Sequence, residues 1–149
     1  MAYPNRALQG MVLACCWILP FGADDSTQPW YGQAIAQCLV SEYLLKYFPY
    51  EDFIIYEIGA GNGTLAMDIL NYLREEYPDV YDRTRYNIIE ISGNLVTLQK
   101  NKVRSAHPCV NVVHMSIFHW KVREPAPCFF LAMEVIVGAH CQFSCFDEN

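Results

Sequence analysis

The hydrophobic positions of the chain follow two spacings, which predict strands and helices in turn. Short apolar runs rich in β-branched and aromatic residues predict four strands covered on both faces, at 53–58, 86–91, 110–115 and 128–137. After the first strand, Leu65, Ile69 and Leu73 recur at helical spacing, with Ala66 and Leu70 beside them. The alternation of strands and helices predicts an α/β fold with a parallel sheet and crossover connections.

Two further helices and one polar connection complete this pattern. Residues 30–48 predict a helix before the first strand, and Pro49 ends it. Its apolar stripe is predicted to consist of Ile35, Leu39, Tyr43 and Tyr47, widened by Cys38 and Leu45. Residues 80–85 read as a polar connection, and Ser92 is expected to cap a helix over 94–104.

A glycine-rich turn joins the first predicted strand to its helix. Gly59, Gly61 and Gly63 alternate there, and Thr64 is expected to cap the helix that follows. Glycine permits positive φ values and close backbone approach that side chains obstruct. The turn is therefore suited to holding part of a small polar ligand, although plain packing between strand and helix would explain it too.

Two carboxylates are predicted at the same edge of the sheet, where ligands of parallel α/β folds bind. Glu90 lies near the end of the second strand, about 27 residues beyond Gly63, and could accept hydrogen bonds from ribose hydroxyls. Glu134 lies inside the apolar fourth strand, where an unpaired carboxylate is costly, so it should emerge from the core or have a partner. A solvated strand end for Glu90 and a structural role for Glu134 remain the alternatives.

Composition and charge narrow the class of ligand. The 149 residues, 53% of them hydrophobic, are enough for one domain with a core. A net charge of −6 and the absence of a Lys/Arg run argue against a nucleic-acid partner. Seven cysteines without a CxxC pair predict neither a disulfide framework nor a zinc ribbon, and no metal site is assigned to His140, Cys141 and Cys145.

The first 29 residues are the least defined part of the chain. Arg6 precedes an apolar run at 11–19 that superficially resembles a secretory signal, but Pro20 and Phe21 make a poor cleavage site. The run is also much shorter than the ~20 residues of a membrane span. We expect an apolar helix or strand that packs on the domain.

The turn and its surroundings resemble a known family. Thr64 stands where the dinucleotide-binding pattern has its third glycine, and Glu57-x-Gly59-x-Gly61-x-Gly63 instead resembles the first motif of class I S-adenosylmethionine-dependent methyltransferases. More narrowly, the chain resembles the MidA-like group, which includes protein arginine methyltransferases of mitochondrial complex I assembly. The matching segments, between Pro29 and Ile136, are 31–36, 57–70, 89–92 with Leu95 and Gln99, and 132–135.

The resemblance implies a Rossmann-like methyltransferase fold and a set of roles. The methionine part of S-adenosyl-L-methionine would lie on the turn, at Glu57, Gly59, Ala60, Gly61, Asn62 and Gly63. Glu90, with Ile91 beside it, would hold the ribose hydroxyls, and Ser116 and Ile117 would lie near adenine. Glu134 would be the catalytic residue, near the transferred methyl group and able to orient an arginine guanidinium. The group implies a protein substrate and a mitochondrial location, with the cytoplasm as the alternative.

The chain departs from this family after the fourth strand. Only 15 residues follow Glu134, where relatives have three more strands and a substrate-binding part. We therefore expect an uncertain segment at 1–29, the cofactor-binding half of a methyltransferase at 30–136, and a divergent tail at 137–149, in a truncated product. Its fourth strand would be an unpaired apolar edge, so that the chain would self-associate, bind a partner through this edge, or be poorly stable.

Whether such a chain is an enzyme stays open at this point. The first interpretation is a methyltransferase acting on protein arginine. The alternative is a non-catalytic fragment that binds cofactor or a protein partner. A nicotinamide-dependent oxidoreductase is less favoured because of Thr64.

Overall fold

A computed structural model describes residues 29–121 and 123–133. The helices are α1 (Trp30–Lys46), α2 (Thr64–Glu76), α3 (Pro78–Tyr81) and α4 (Gly93–Gln99). A π-helix at Lys100–Arg104 continues α4, and a separate 3-10 turn at Ile117–His119 follows the third strand. The strands are β1 (Phe53–Ile58), β2 (Thr84–Glu90), β3 (Val110–His114) and β4 (Cys128–Leu131).

The four strands form one parallel sheet in the order β3-β2-β1-β4. The register pairs Ile58 with Ile89 and Glu90 with His114, so three strands end side by side at one edge. The predicted parallel α/β sheet is confirmed. The fourth strand is shorter than predicted, because β4 ends at Leu131 and residues 132–133 are not paired in the sheet.

The larger core lies between one face of the sheet and α1 and α2. Phe53 and Ile55 of β1 share this face with Tyr86 and Ile88 of β2, and all four are buried. The opposite face carries a smaller cluster of Ile54, Tyr56, Ile89 and Cys128, covered in part by Trp120 and Phe130. Because each strand has apolar residues on both sides, its pattern is nearly continuous rather than alternating.

The predicted apolar stripe of α1 was wrong in part. Cys38 and Leu45 are exposed, Leu45 at 78%, and the buried residues are Gly32, Ala36, Leu39, Val40 and Tyr43. With 3.6 residues per turn, a stripe of residues four apart drifts around the helix in one direction. The contact face therefore widens on the side of Ala36 and Val40, and Cys38 and Leu45 lie on the opposite side. Gly32 lies in the contact with α2, where an added Cβ would be 2.4 Å from the Cβ of Asp68.

Part of the segment predicted as a polar connection, 80–85, belongs to a helix and a strand. Val80 is buried in α3, and the hydroxyl of Thr84, the first residue of β2, donates a hydrogen bond to the Val80 carbonyl at 2.9 Å. Among the helices that the structure describes, none has the length and apolar character needed to cross a membrane. Residues 1–28, with the apolar run at 11–19, and residues 134–149, with Glu134 and Cys141, lie outside the described part.

Candidate functional site

The glycine turn between β1 and α2 adopts the conformation that its sequence suggested. Gly59, Gly61 and Gly63 have φ values of +68°, +55° and +78°, which L side chains rarely adopt. The Gly59 amide donates to the carbonyl of Ile89 at 3.0 Å, and the Gly63 amide donates to the carbonyl of Ala60 at 2.8 Å. The first bond ties the turn to β2, and the second closes it.

The start of α2 differs from the predicted cap. Gly63 is the N-cap and Thr64 is the first helical residue. The side-chain oxygen Oδ1 of the exposed Asn62 accepts hydrogen bonds from the Thr64 amide at 3.1 Å and from its hydroxyl at 2.7 Å. Asn62 therefore supplies the hydrogen bond that Thr64 was expected to make, because its amide side chain bonds the backbone two residues on.

Gly61 and Gly63 serve different purposes. A Cβ on the buried Gly63 would lie 2.5 Å from Cγ2 of Val103, so this glycine allows the turn to pack against the π-helix. A Cβ on Gly61 would meet nothing within 4 Å. Gly61 therefore leaves bare backbone beside open space, as expected of a cradle that a ligand fills.

Glu90 is held firmly at the end of β2. Its side chain is 4% exposed. One carboxylate oxygen accepts from the Ser92 amide at 2.9 Å, and the other accepts from Nε2 of Gln99 at 3.2 Å. The hydroxyl of Ser92 in turn accepts from the Leu95 amide at 3.5 Å, which confirms the predicted cap of α4. These two hydrogen bonds fix the orientation of the carboxylate, and each oxygen keeps a second lone pair that can accept a hydrogen bond from a ligand.

Glu57 is buried one strand away from Glu90. Its carboxylate is 3% exposed and accepts a hydrogen bond from the hydroxyl of Tyr86 at 2.9 Å. Burial raises the pKa of Glu57 to about 7, with the charge of Glu90 adding to the rise and the Tyr86 hydrogen bond opposing it. Glu57 is therefore packed within the core rather than exposed on the turn with Gly61 and Asn62.

A cleft of about 170 Å³ opens where β1, β2 and β3 end. Its lining residues are Ile58, Gly59, Ile89, Glu90, Ile91, Met115, Ser116, Ile117 and Phe118. Five of the predicted site residues therefore meet in one cavity. Its walls are mostly apolar, with one carboxylate at the side.

The third strand contributes the far wall of this cleft. The Met115 amide donates to the Glu90 carbonyl at 2.9 Å, which holds the end of β3 against β2. Ser116 caps the 3-10 turn by accepting from the Phe118 amide at 3.4 Å, and Phe118 is 78% exposed. Met115, predicted as the last residue of the third strand, and Phe118 were not predicted as site residues, although both are apolar and lie at or just after the end of that strand.

Gln99 is the other residue whose role was missed. The sequence placed it only in a segment that matches the family, yet its Nε2 donates to the Gly61 carbonyl at 2.8 Å as well as to Glu90. No periodicity reveals such a contact, because it joins residues 38 positions apart. Glu134, the predicted catalytic residue, lies outside the described residues and stays a prediction.

Comparison with known proteins identifies the fold and the family. A family model described as "Putative S-adenosyl-L-methionine-dependent methyltransferase" matches residues 34–137, more than half of the chain. The chain belongs to this methyltransferase family. The predicted resemblance is thereby confirmed, S-adenosyl-L-methionine is the cofactor of the family, and the nicotinamide-dependent alternative is not supported.

Two relatives show how far the likeness extends. The mitochondrial "Protein arginine methyltransferase NDUFAF7 homolog" of Schizosaccharomyces pombe is 34% identical over 111 residues, which are 71% of this chain and 24% of that protein. The plantazolicin methyltransferase BpumL, solved with S-adenosylhomocysteine, is 19% identical with a TM-score of 0.51, over 72% of this chain and 37% of that one. The second comparison bears on the fold alone. This chain spans about a quarter of the length of the S. pombe relative.

Proposed function

We propose that the cleft and the glycine turn form the S-adenosyl-L-methionine site of a methyltransferase that acts on protein arginine. The observation that carries this proposal is the placement of a fixed carboxylate, Glu90, between an apolar cleft and a turn with bare backbone at Gly61. The arginine substrate and a mitochondrial location are inferred from the S. pombe relative, which bears both in its name.

The residues fit the three parts of the cofactor. The apolar walls formed by Ile58, Ile91 and Ile117 suit a flat adenine ring. The carboxylate of Glu90, already oriented by two donors, suits the paired hydroxyls of ribose. The open space beside Gly61 leaves room for the methionine part, whose charged groups can approach backbone there.

For methyl transfer, the main task of the protein is to position the methyl donor and the nucleophile. When bound, the cofactor supplies an electrophilic methyl group on a sulfonium centre. Methyl transfer is an in-line displacement, so the contribution of the turn and of Glu90 is to hold the donor in one orientation. We propose that Glu134 orients the guanidinium of the arginine nucleophile, because a carboxylate binds that group in a defined, bidentate geometry.

Cofactor binding and methyl transfer are tested separately, because this chain spans about a quarter of the arginine methyltransferase that it resembles. Calorimetry on the folded 149-residue chain is expected to show binding of S-adenosylmethionine and S-adenosylhomocysteine and none of NAD. Glu90→Gln should weaken binding about tenfold or more, since it loses a charged acceptor. Glu75→Gln, at an exposed position of α2, is the matched control and should bind as the wild type does.

The outcomes separate the candidate functions. A folded wild-type chain that binds neither methyl donor nor product would contradict the cofactor site. Binding together with methylation of arginine peptides supports the arginine methyltransferase. Binding without turnover supports the alternative predicted from the sequence, a cofactor-binding chain that does not catalyse transfer by itself.

A further inference from the structure

We infer that Gln99 is a positioning residue that holds Glu90 and the glycine turn at a set separation, an inference that rests on the proposed cofactor site. The side chain of Gln99 is fully buried. Its amino group donates to the carbonyl of Gly61 at 2.8 Å and to the carboxylate of Glu90 at 3.2 Å. One amide nitrogen therefore joins the groups assigned to the methionine and ribose parts of the ligand.

The orientation of the Gln99 amide follows from its partners. Both partners are acceptors, so only the NH₂ group can face them, and its two N–H bonds are both used. The carbonyl oxygen of the amide must then point away, and it is buried without a hydrogen-bond partner among the described residues. Burying an unpaired acceptor is unfavourable. A side chain needed only to fill space would avoid that cost, so the two donors are the reason for an amide here.

The helix that carries Gln99 is shaped to meet the turn twice. The α-helix gives way to a π-helix at Lys100–Arg104, directly after Gln99. Val103 of this π-helix packs against Gly63, and Gln99 bonds to Gly61. A π-helical turn is wider than an α-helical one and occurs often at functional sites. The middle of the glycine turn, at Gly61, and its end, at Gly63, thus both contact one helix.

Glu90 depends on the same helix for its geometry. The Ser92 amide holds one carboxylate oxygen, and Gln99 holds the other. Without Gln99, the second oxygen loses its donor and the Gly61 carbonyl loses its link to β2 through that side chain. The expected result is a folded protein in which the two halves of the ligand site are no longer aligned.

The test is the affinity of the full chain for S-adenosylhomocysteine. Gln99→Met keeps the length of the side chain and removes both donors, and its dissociation constant is expected to rise about tenfold or more. Val96→Ala, at a buried position on the same helix, is the matched control. It should lower the melting temperature and leave the affinity unchanged, which separates positioning from general destabilisation.

A double variant measures the coupling between the two side chains, which would be absent if Gln99 had only a structural role. Because Gln99 acts in part through Glu90, the combined loss in Gln99→Met/Glu90→Gln should be smaller than the product of the two single losses. Should Gln99→Met not fold, Gln99→Glu preserves the shape and offers at most one donor proton, so its affinity should fall too.

Three results are decisive. Wild-type affinity in a folded Gln99→Met or Gln99→Glu variant would overturn the inference while leaving the cofactor site intact. Strictly multiplicative losses in the double variant would show that Gln99 does not act through Glu90. A wild-type chain that does not bind the ligand would end the proposed function and, with it, this role.

Discussion

The hydroxyl of Tyr86 donates a hydrogen bond to the carboxylate of Glu57 at 2.9 Å, and both side chains are buried. The two residues lie on neighbouring strands, on the face of the sheet that packs against α1 and α2. Burial raises the pKa of Tyr86 well above its usual range, so its hydroxyl stays a donor at neutral pH. An ionisable carboxyl group is therefore built into the core close to the candidate site.

This carboxyl group should make the stability of the fold depend on pH. The pKa of Glu57 is raised from 4.5 to about 7 in the folded chain, chiefly by burial. The folded state then binds more protons than the unfolded state between these values, so the free energy of unfolding falls as pH rises from about 4.5 to 7. The expected loss is about 3 kcal/mol, complete above pH 7.

Glu57→Gln provides the control for this prediction, because the amide keeps an acceptor for Tyr86 and does not titrate. Chemical denaturation at pH 5 and pH 8 should show the wild type losing about 2–3 kcal/mol more than the variant does. Parallel pH profiles for the two proteins would mean that Glu57 titrates normally.

Gly63→Ala should destabilise the fold by about 2–4 kcal/mol. The residue has φ of +78°, and the new Cβ would lie 2.5 Å from Val103. Adding Val103→Ala relieves the overlap but not the backbone strain. The double variant should therefore lose less stability than the sum of the losses in the two single variants. Additive losses, measured by denaturant unfolding, would refute the contact.

Gly61→Val should abolish binding of S-adenosylmethionine with a smaller effect on stability. Its Cβ would enter open space, so only the strain at φ of +55°, about 1–2 kcal/mol, opposes folding. A branched side chain beside the exposed backbone would keep the ligand away. Calorimetry should show an intermediate affinity for Gly61→Ala, and unchanged affinity in the valine variant would remove Gly61 from the site.

Gly32→Ala should destabilise the chain by about 1–3 kcal/mol, although this change usually favours a helix. The added Cβ would lie 2.4 Å from the Cβ of Asp68, and neither atom can move without shifting α1 against α2. Gly93→Ala is the matched control, because its nearest atom is 3.6 Å away. A melting temperature that rises in both variants would contradict the close helix contact.

The predictions from sequence succeeded where one local pattern was enough. The run 53–58 became a strand, the glycines took positive φ, and Ser92 capped α4, because strand propensity, glycine and hydroxyl caps act within a few residues. They failed where the outcome depends on which other element a helix or strand packs against. Leu45 matched an apolar spacing but faces away from α2, and β4 is shorter than its apolar run.

The parallel α/β fold, the glycine turn and the family were all predictable from the order of residues along the chain. The contacts that support the site became visible only in the folded chain: the Tyr86 hydrogen bond to Glu57, the packing of Val103 on Gly63, and the two hydrogen bonds of Gln99. The residues in most of these contacts lie far apart along the chain. Periodicity and turn chemistry act between near neighbours, whereas these contacts join segments that meet only when the sheet and its helices have packed.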